Sequence, residues 1–279
     1  MENIILTCFW ILITGCSCRF DIGMKHLIFA ALAAVFVNQS APAQADLASD
    51  APDNVVGFVE SNLIATFYHE LGHALIDIEQ LPVFGQEEDA ADVLSVVLID
   101  AFYDEETAVQ ITYDAAYGFL GYADEQAETG EEPAFWDTHG PDLQRYYTLV
   151  CLFYGADAEE REDVAQELGL PQERAETCEE EFELAADSWG GVLDDIAANG
   201  GGTSMELGEF DDSTPSGALT SQVIKAEVEA FNAGFQLSSP LTVEVASCGE
   251  ANAFYDPNNT TLTVCTEYGD SLADMAPAL

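Results

Sequence analysis

Residues 67–76 run Phe67-Tyr68-His69-Glu70-Leu71-Gly72-His73-Ala74-Leu75-Ile76. Two histidines four residues apart share one face of a helix, so their imidazole nitrogens can converge on one cation. Glu70 then stands beside that cation rather than on it, where it can take a proton from a water in the open coordination position. The surrounding residues support a helix. Ile64, Phe67, Leu71, Leu75 and Ile78 recur at three- and four-residue steps. Asp53 after Pro52 makes a start and Pro82 a stop, which predicts a helix over residues 53–80. An apolar face in the core with both histidines on its border is what a zinc-binding H-E-x-x-H helix requires. The alternative is an inert surface pair, and a chance match of that kind would fall as readily in a loop.

A catalytic zinc takes three protein ligands and keeps one position open. The next segment is Gln86-Glu87-Glu88-Asp89-Ala90-Ala91-Asp92, in which Glu88 and Asp92 form an E-x-x-x-D pair on one helical face. Here the chain resembles the gluzincins, zincin peptidases with H-E-x-x-H on one helix and E-x-x-x-D on a later one. The resemblance implies Glu88 as the third ligand, with Asp92 hydrogen-bonding a ligand histidine and fixing its orientation. Leu81–Gly85 must double back to bring Glu88 to the histidines, so Glu87, Asp89 and His139 remain alternative ligands. A wider set of motifs recurs in order: H-E-L-G-H-A-L-I, E-E-D-A-A-D, Gln144-Arg145-Tyr146-Tyr147 before Cys151-Leu152-Phe153-Tyr154-Gly155, and Cys248-Gly249-Glu250-Ala251-Asn252-Ala253-Phe254-Tyr255. Together they resemble an uncharacterised bacterial metallopeptidase family, a domain of unknown function, over about Val55 to Tyr268. The resemblance implies one Zn²⁺ per chain and a peptide or protein substrate.

Charge narrows the partners. Fifty-two acidic residues stand against six lysines and arginines, a formal net charge of −46. Such a field repels nucleic-acid phosphates and anionic headgroups, and attracts cationic substrates. Solubility in salty water is the plainer account of the same charge, and weak binding of divalent cations without a specific site is another. Nothing in the composition sets the oligomeric state.

The N-terminus reads as an export signal behind a misassigned start. Met24-Lys25-His26 is a short basic segment, Leu27–Val37 is apolar but too short to span a bilayer, and Ala41-Pro42-Ala43-Gln44-Ala45 offers A-x-A cleavage sites. Residues 1–23 are expected to be an upstream extension, 24–45 the signal peptide, and 46–279 a single domain, periplasmic or secreted. Ile13-Thr14-Gly15-Cys16 resembles a lipoprotein-processing site but lacks a preceding basic residue, which argues against anchoring. Removing residues 1–45 takes away Cys8, Cys16 and Cys18. Cys151, Cys178, Cys248 and Cys265 remain, and proximity favours Cys151–Cys178 and Cys248–Cys265 as disulfides of an exported protein.

The fold class expected is α+β, mainly α: a zincin-like helical core plus a C-terminal antiparallel β-hairpin or small sheet. Helices occupy residues 53–198, with Ala123–Pro133 an acidic surface loop, Asp157–Leu168 a helix and Pro171–Asp195 another. Residues 199–220 form a flexible linker, and 240–268 the β region. Leu241–Val245 and Thr261–Cys265 alternate with period two, Asp256-Pro257-Asn258-Asn259 is a turn, and Ala253–Tyr255 is a possible third strand. Too few residues precede His69 to supply a sheet. The C-terminal strands are therefore expected beside the metal helix, one edge facing the zinc as a track for an extended substrate. His139 is the one histidine of the mature chain outside the motif. With Arg145 and Tyr146 it is a candidate donor to substrate or to the oxyanion of a tetrahedral intermediate, and His139 is also a candidate catalytic residue.

Overall fold

A computed structural model describes residues 51–130 and 132–277. The extension, the signal peptide and its cleavage sites lie outside the described residues. The first helix, α1, spans Asp53–Ile78 and is the centre of the structure. Leu63, Phe67, Leu71 and Leu75 on its inner face are wholly buried, each contributing about 1.5–3 kcal/mol by leaving water. Against α1 pack α2 (Glu87–Phe102) and α3 (Glu105–Thr129), the latter capped by the Asp104 carboxylate accepting from the Thr107 amide. The helix α4 (Asp142–Ala156) leans on both α2 and α3. Two short helices, α5 (Glu162–Glu167) and α6 (Gln172–Ala175), lead to α7 (Cys178–Ala197). Cys151 on α4 is bonded to Cys178 at the start of α7.

The second layer is a four-stranded sheet in the order β1-β2-β4-β3. Its strands are β1 (Met205–Phe210), β2 (Leu241–Ala246), β3 (Ala253–Asp256) and β4 (Thr261–Cys265). Between β1 and β2 runs α8 (Pro215–Gly234), and α9 (Thr266–Met275) follows β4 directly. Both helices pack on α1. The structure is mainly helical with a small mixed sheet, as the sequence predicts at the level of class.

Four details differ. First, β2 runs parallel to β4, with Val243 opposite Leu262; the hairpin is β3–β4, with Tyr255 opposite Leu262. Period-two alternation records which face of a strand is buried and is silent on the direction of its neighbour. Second, residues 199–220 are not a flexible linker. They hold β1, paired in parallel with β2, and the start of α8. The glycines that read as flexibility serve close packing: a Cβ on Gly201 would stand 2.3 Å from the Ala233 carbonyl oxygen, and one on Gly202 would meet the Gln236 side chain. Third, α3 continues through Thr129 before Gly130 ends it in the left-handed region, so most of the expected 123–133 loop is helix. Fourth, the expected 157–168 helix shrinks to α5, and the expected 171–195 helix is broken between α6 and α7. There Arg174 turns back to pair with Glu181.

Candidate metal centre

On α1, Thr66, His69, Glu70, His73 and Asp77 lie along one face and line a cleft of about 1140 Å³. His69 and Glu70 are buried. After Ile78 the chain reverses through Gln80, at φ 53°, and re-enters as α2 at Glu87. The two helices can approach this closely because residue 72 is glycine: a Cβ there would lie 2.8 Å from the Ala91 Cα. Glu88 is thereby delivered to the histidines. Its Oε2 is 3.2 Å from His69 Nε2 and 3.1 Å from His73 Nε2, and the two Nε2 atoms are 3.2 Å apart.

The outward nitrogens explain why these atoms converge. His69 Nδ1 bonds Asp92 Oδ1 at 2.7 Å, and His73 Nδ1 bonds Glu87 Oε1 at 2.8 Å. A carboxylate can only accept, so in neutral imidazoles each Nδ1 carries the proton and each Nε2 presents a lone pair. Two such lone pairs and a carboxylate oxygen meet in a near-equilateral triangle. Tetrahedral bonds of about 2.0–2.2 Å put ligand atoms roughly 3.3–3.5 Å apart, close to the spacing seen. His69, His73 and Glu88 therefore fit a divalent metal in donor type and in spacing, and the cleft leaves room for a fourth position.

The electrostatics describe the same need for positive charge. Burial works against a charged His69, yet the Asp92 and Glu88 carboxylates outweigh it and push its pKa up to about 9. Burial also opposes ionised Glu88, but His139, His69 and His73 hold its carboxyl far below the usual range. Asp92 is likewise held low against burial, chiefly by Arg145. Glu70 goes the other way, because burial raises it.

The remaining expected site residues divide. His139, on the loop before α4, reaches the centre: its Nε2 is 2.9 Å from Glu88 Oε2 and its ring stacks on His69 with centroids 6.1 Å apart. Glu87 holds His73 rather than joining the triangle, and Asp89 is exposed. Arg145 also lies at the centre, but behind it. Its Nε and Nη2 grip the two oxygens of Asp92 at 2.8 and 2.7 Å, and the guanidinium lies over the Phe119 ring. The substrate-donor expectation for Tyr146 is corrected. Tyr146 is buried, and its hydroxyl donates to the Leu168 carbonyl at 2.5 Å. Arg145 lines the cleft, whereas Tyr146, one position on along α4 and turned about 100° from it, does not.

The sequence missed part of the lining. Thr66, Phe119, Tyr122 and Tyr268 face the cleft, with the Tyr268 hydroxyl 3.0 Å from Thr66 Oγ1 and 3.4 Å from the Tyr122 hydroxyl. Thr66 could have been found, one turn before His69; nothing local marks Tyr122 or Tyr268. Another wall is β3 and the residues before it. Residues 251–255 line the cleft, Tyr255 donates to Asp77 Oδ2 at 2.7 Å, and β3 is an edge strand paired only with β4. Cys248–Cys265 ties the approach to β3 onto the end of β4.

Residues 24–193 and 212–277 match the sequence profile of a family described as “Putative metallopeptidase”. The chain belongs to that family. The family description calls for a metal, and among the described residues His69, His73 and Glu88 are the group of side chains whose donor atoms converge closely enough to hold one. Searches of curated proteins and of solved structures return no match. Two disulfides fit an oxidising compartment. No described helix is long and apolar enough to cross a membrane.

Proposed function

We propose that the protein is an exported zinc metallopeptidase of the gluzincin type, with one Zn²⁺ held by His69, His73 and Glu88. The observation that carries this reading is the triangle of two Nε2 lone pairs and one carboxylate oxygen, with both Nδ1 atoms committed to carboxylates. When bound, the metal supplies Lewis acidity toward a water molecule and a peptide carbonyl. Glu70 takes the proton of the attacking water and passes it to the leaving amine; its burial raises its proton affinity in the direction that task needs. Asp92 keeps His69 in the tautomer that ligates, and Arg145 keeps Asp92 ionised and oriented. The free edge of β3 offers backbone groups to an extended peptide. His139, half exposed with its Nε2 2.9 Å from Glu88, is a candidate donor to the oxyanion that develops on the substrate.

Metal analysis and peptide hydrolysis test this together. The native chain should carry one zinc and cleave peptides. His69→Ala and Glu88→Ala should each fall well below one zinc per chain. Glu70→Gln should keep zinc and lose hydrolysis by about 10²–10⁴-fold. One zinc with no hydrolysis of any peptide would make the protein a binding protein on a peptidase frame. Many weakly held divalent ions, with normal zinc content in both ligand variants, would make it an acidic cation-binding protein.

A further inference from the structure

We propose that the cleft selects peptides that are both cationic and amphipathic. This rests on the peptidase reading and adds the class of substrate. The first observation is apolar. Of the large hydrophobic side chains, Phe84, Trp136 and Phe135 are the most exposed of the described residues, at 98%, 87% and 80%. All three stand on the two loops that frame the metal centre. Phe84 lies between Leu81 and Glu87, which both line the cleft, and Phe135 and Trp136 lie just before His139. The loops touch, since the Gln86 amide donates to the Asp137 carbonyl. Phe254 on β3, 40% exposed, adds a fourth aromatic from the strand side. Single exposed apolar residues need no explanation, but three large aromatics exposed on the two loops that carry cleft-lining residues do.

The second observation is charge. A bound divalent cation and Arg145 are balanced by Glu88, Glu70 and Asp92. Asp77, Glu125 and Asp142 also line the cleft. All four basic side chains of the described residues already have carboxylate partners: Arg145 with Asp92 at the centre, and outside the cleft lining Arg161 with Asp100 and Glu105, Arg174 with Glu181, and Lys225 with Asp212. The cleft therefore offers surplus negative charge beside loops that carry exposed aromatics. A lysine- or arginine-bearing peptide with apolar residues between its charges matches both. A second copy of the chain does not fit as occupant, because two chains of net charge −46 repel. An anionic bilayer is repelled for the same reason.

The test is binding to the zinc-loaded Glu70→Gln variant, so that peptides persist. Three fluorescent peptides of equal length are compared by anisotropy: one of alternating lysines and leucines, the same with every lysine made glutamate, and the same with every leucine made serine. The first should bind at least about tenfold tighter than either other peptide. Its affinity should weaken by a further factor of about ten towards 1 M salt, where the Debye length is about 3 Å. Adding Phe84→Ser or Trp136→Ser should each cost about tenfold against the lysine–leucine peptide, the size expected of an interface anchor. Zinc content and thermal unfolding report whether these variants fold. Equal affinity for all three peptides, or no response to salt, overturns the proposal. If the ranking holds but the native chain cleaves none of the peptides, the peptidase reading falls and the binding inference stands. If the native chain cleaves neutral peptides and the ranking is absent, the inference falls alone.

Discussion

Gly72→Ala is the sharpest single test of how the centre is built. The added methyl would lie 2.8 Å from Ala91 Cα and 3.0 Å from Ala91 Cβ. Carbon atoms rest about 3.5–4.0 Å apart, so α2 must retreat from α1 by roughly 1 Å. Glu88 is one turn ahead of Ala91 on the same helix and moves with it. A zinc–ligand bond tolerates only about 0.2 Å. Overpacking of this kind costs about 1–3 kcal/mol. If α2 yields, that cost falls on zinc affinity, which at about 1.4 kcal/mol per tenfold weakens by roughly 5- to 150-fold. If α2 holds, the cost appears as a lower melting temperature of the metal-free protein. The intrinsic effect has the opposite sign, because alanine in place of a helical glycine stabilises by about 0.5–1 kcal/mol. Competition with a chromophoric chelator and thermal unfolding in EDTA separate the two outcomes. A variant that binds zinc like the native chain and melts higher without metal would refute the claim that Gly72 sets the position of Glu88.

Arg145→Met should strand the Asp92 carboxylate beside His69, costing about 3 kcal/mol in unfolding free energy and about 10–100-fold in zinc affinity, both read by zinc-dependent thermal shifts. Burial raises the Glu227 carboxyl against the Tyr68 and Tyr103 hydroxyls that donate to it. A carboxyl whose folded pKa is raised keeps its proton longer in the folded state, so the stability it confers is full below about pH 4.3 and is lost as the pH rises from there. Glu227→Gln, which cannot ionise, should melt above the native chain at about pH 8 and level with it near pH 4; an equal difference at both would contradict this. Replacing Cys248 and Cys265 by serine should cost about 3 kcal/mol in the chain-entropy model. It should lower peptide turnover more than zinc content, since the bond anchors the wall of the cleft and not the ligands; an equal fall in both would remove β3 from the substrate site.

What could be read in advance was whatever local spacing encodes. His69 and His73 are four apart, Glu88 and Asp92 are four apart, and helical geometry then puts each pair on one face. The structure brings His69, His73 and Glu88 around one point and sets Asp92 behind it, on the outward nitrogen of His69. Arg145 was noticed as a rare basic residue, but its grip on Asp92 was not foreseen, because nothing in Gln144-Arg145-Tyr146 tells which of two adjacent side chains turns inward. The sheet shows the same limit. Val243 and Val245 announce a strand with a buried face, but the parallel pairing of β2 with β4 follows from β3, which lies between them in the chain and turns it back before β4 begins. Tyr122 and Tyr268 meet across the interior at a sequence separation of 146. No periodicity spans such a distance, and only the packing of α3 and α9 on α1 makes them neighbours.

The order of the parts along the chain has a consequence for when the protein becomes competent. Every proposed metal ligand lies within the first two described helices, whereas the wall facing them comes from residues 251–257. The Tyr255–Asp77 bond that joins the two closes a separation of 178 residues. Contacts of such range form late, because loop-closure entropy must be overcome before they stabilise anything. A chain crossing a membrane from its N-terminus would present its ligands first and its substrate track last. The metal could thus be gathered early, while a peptide could be held only after the final strand had docked and Cys248 had found Cys265. On the proposed reading of an exported peptidase, chain order alone would then delay hydrolysis until export and oxidation were finished.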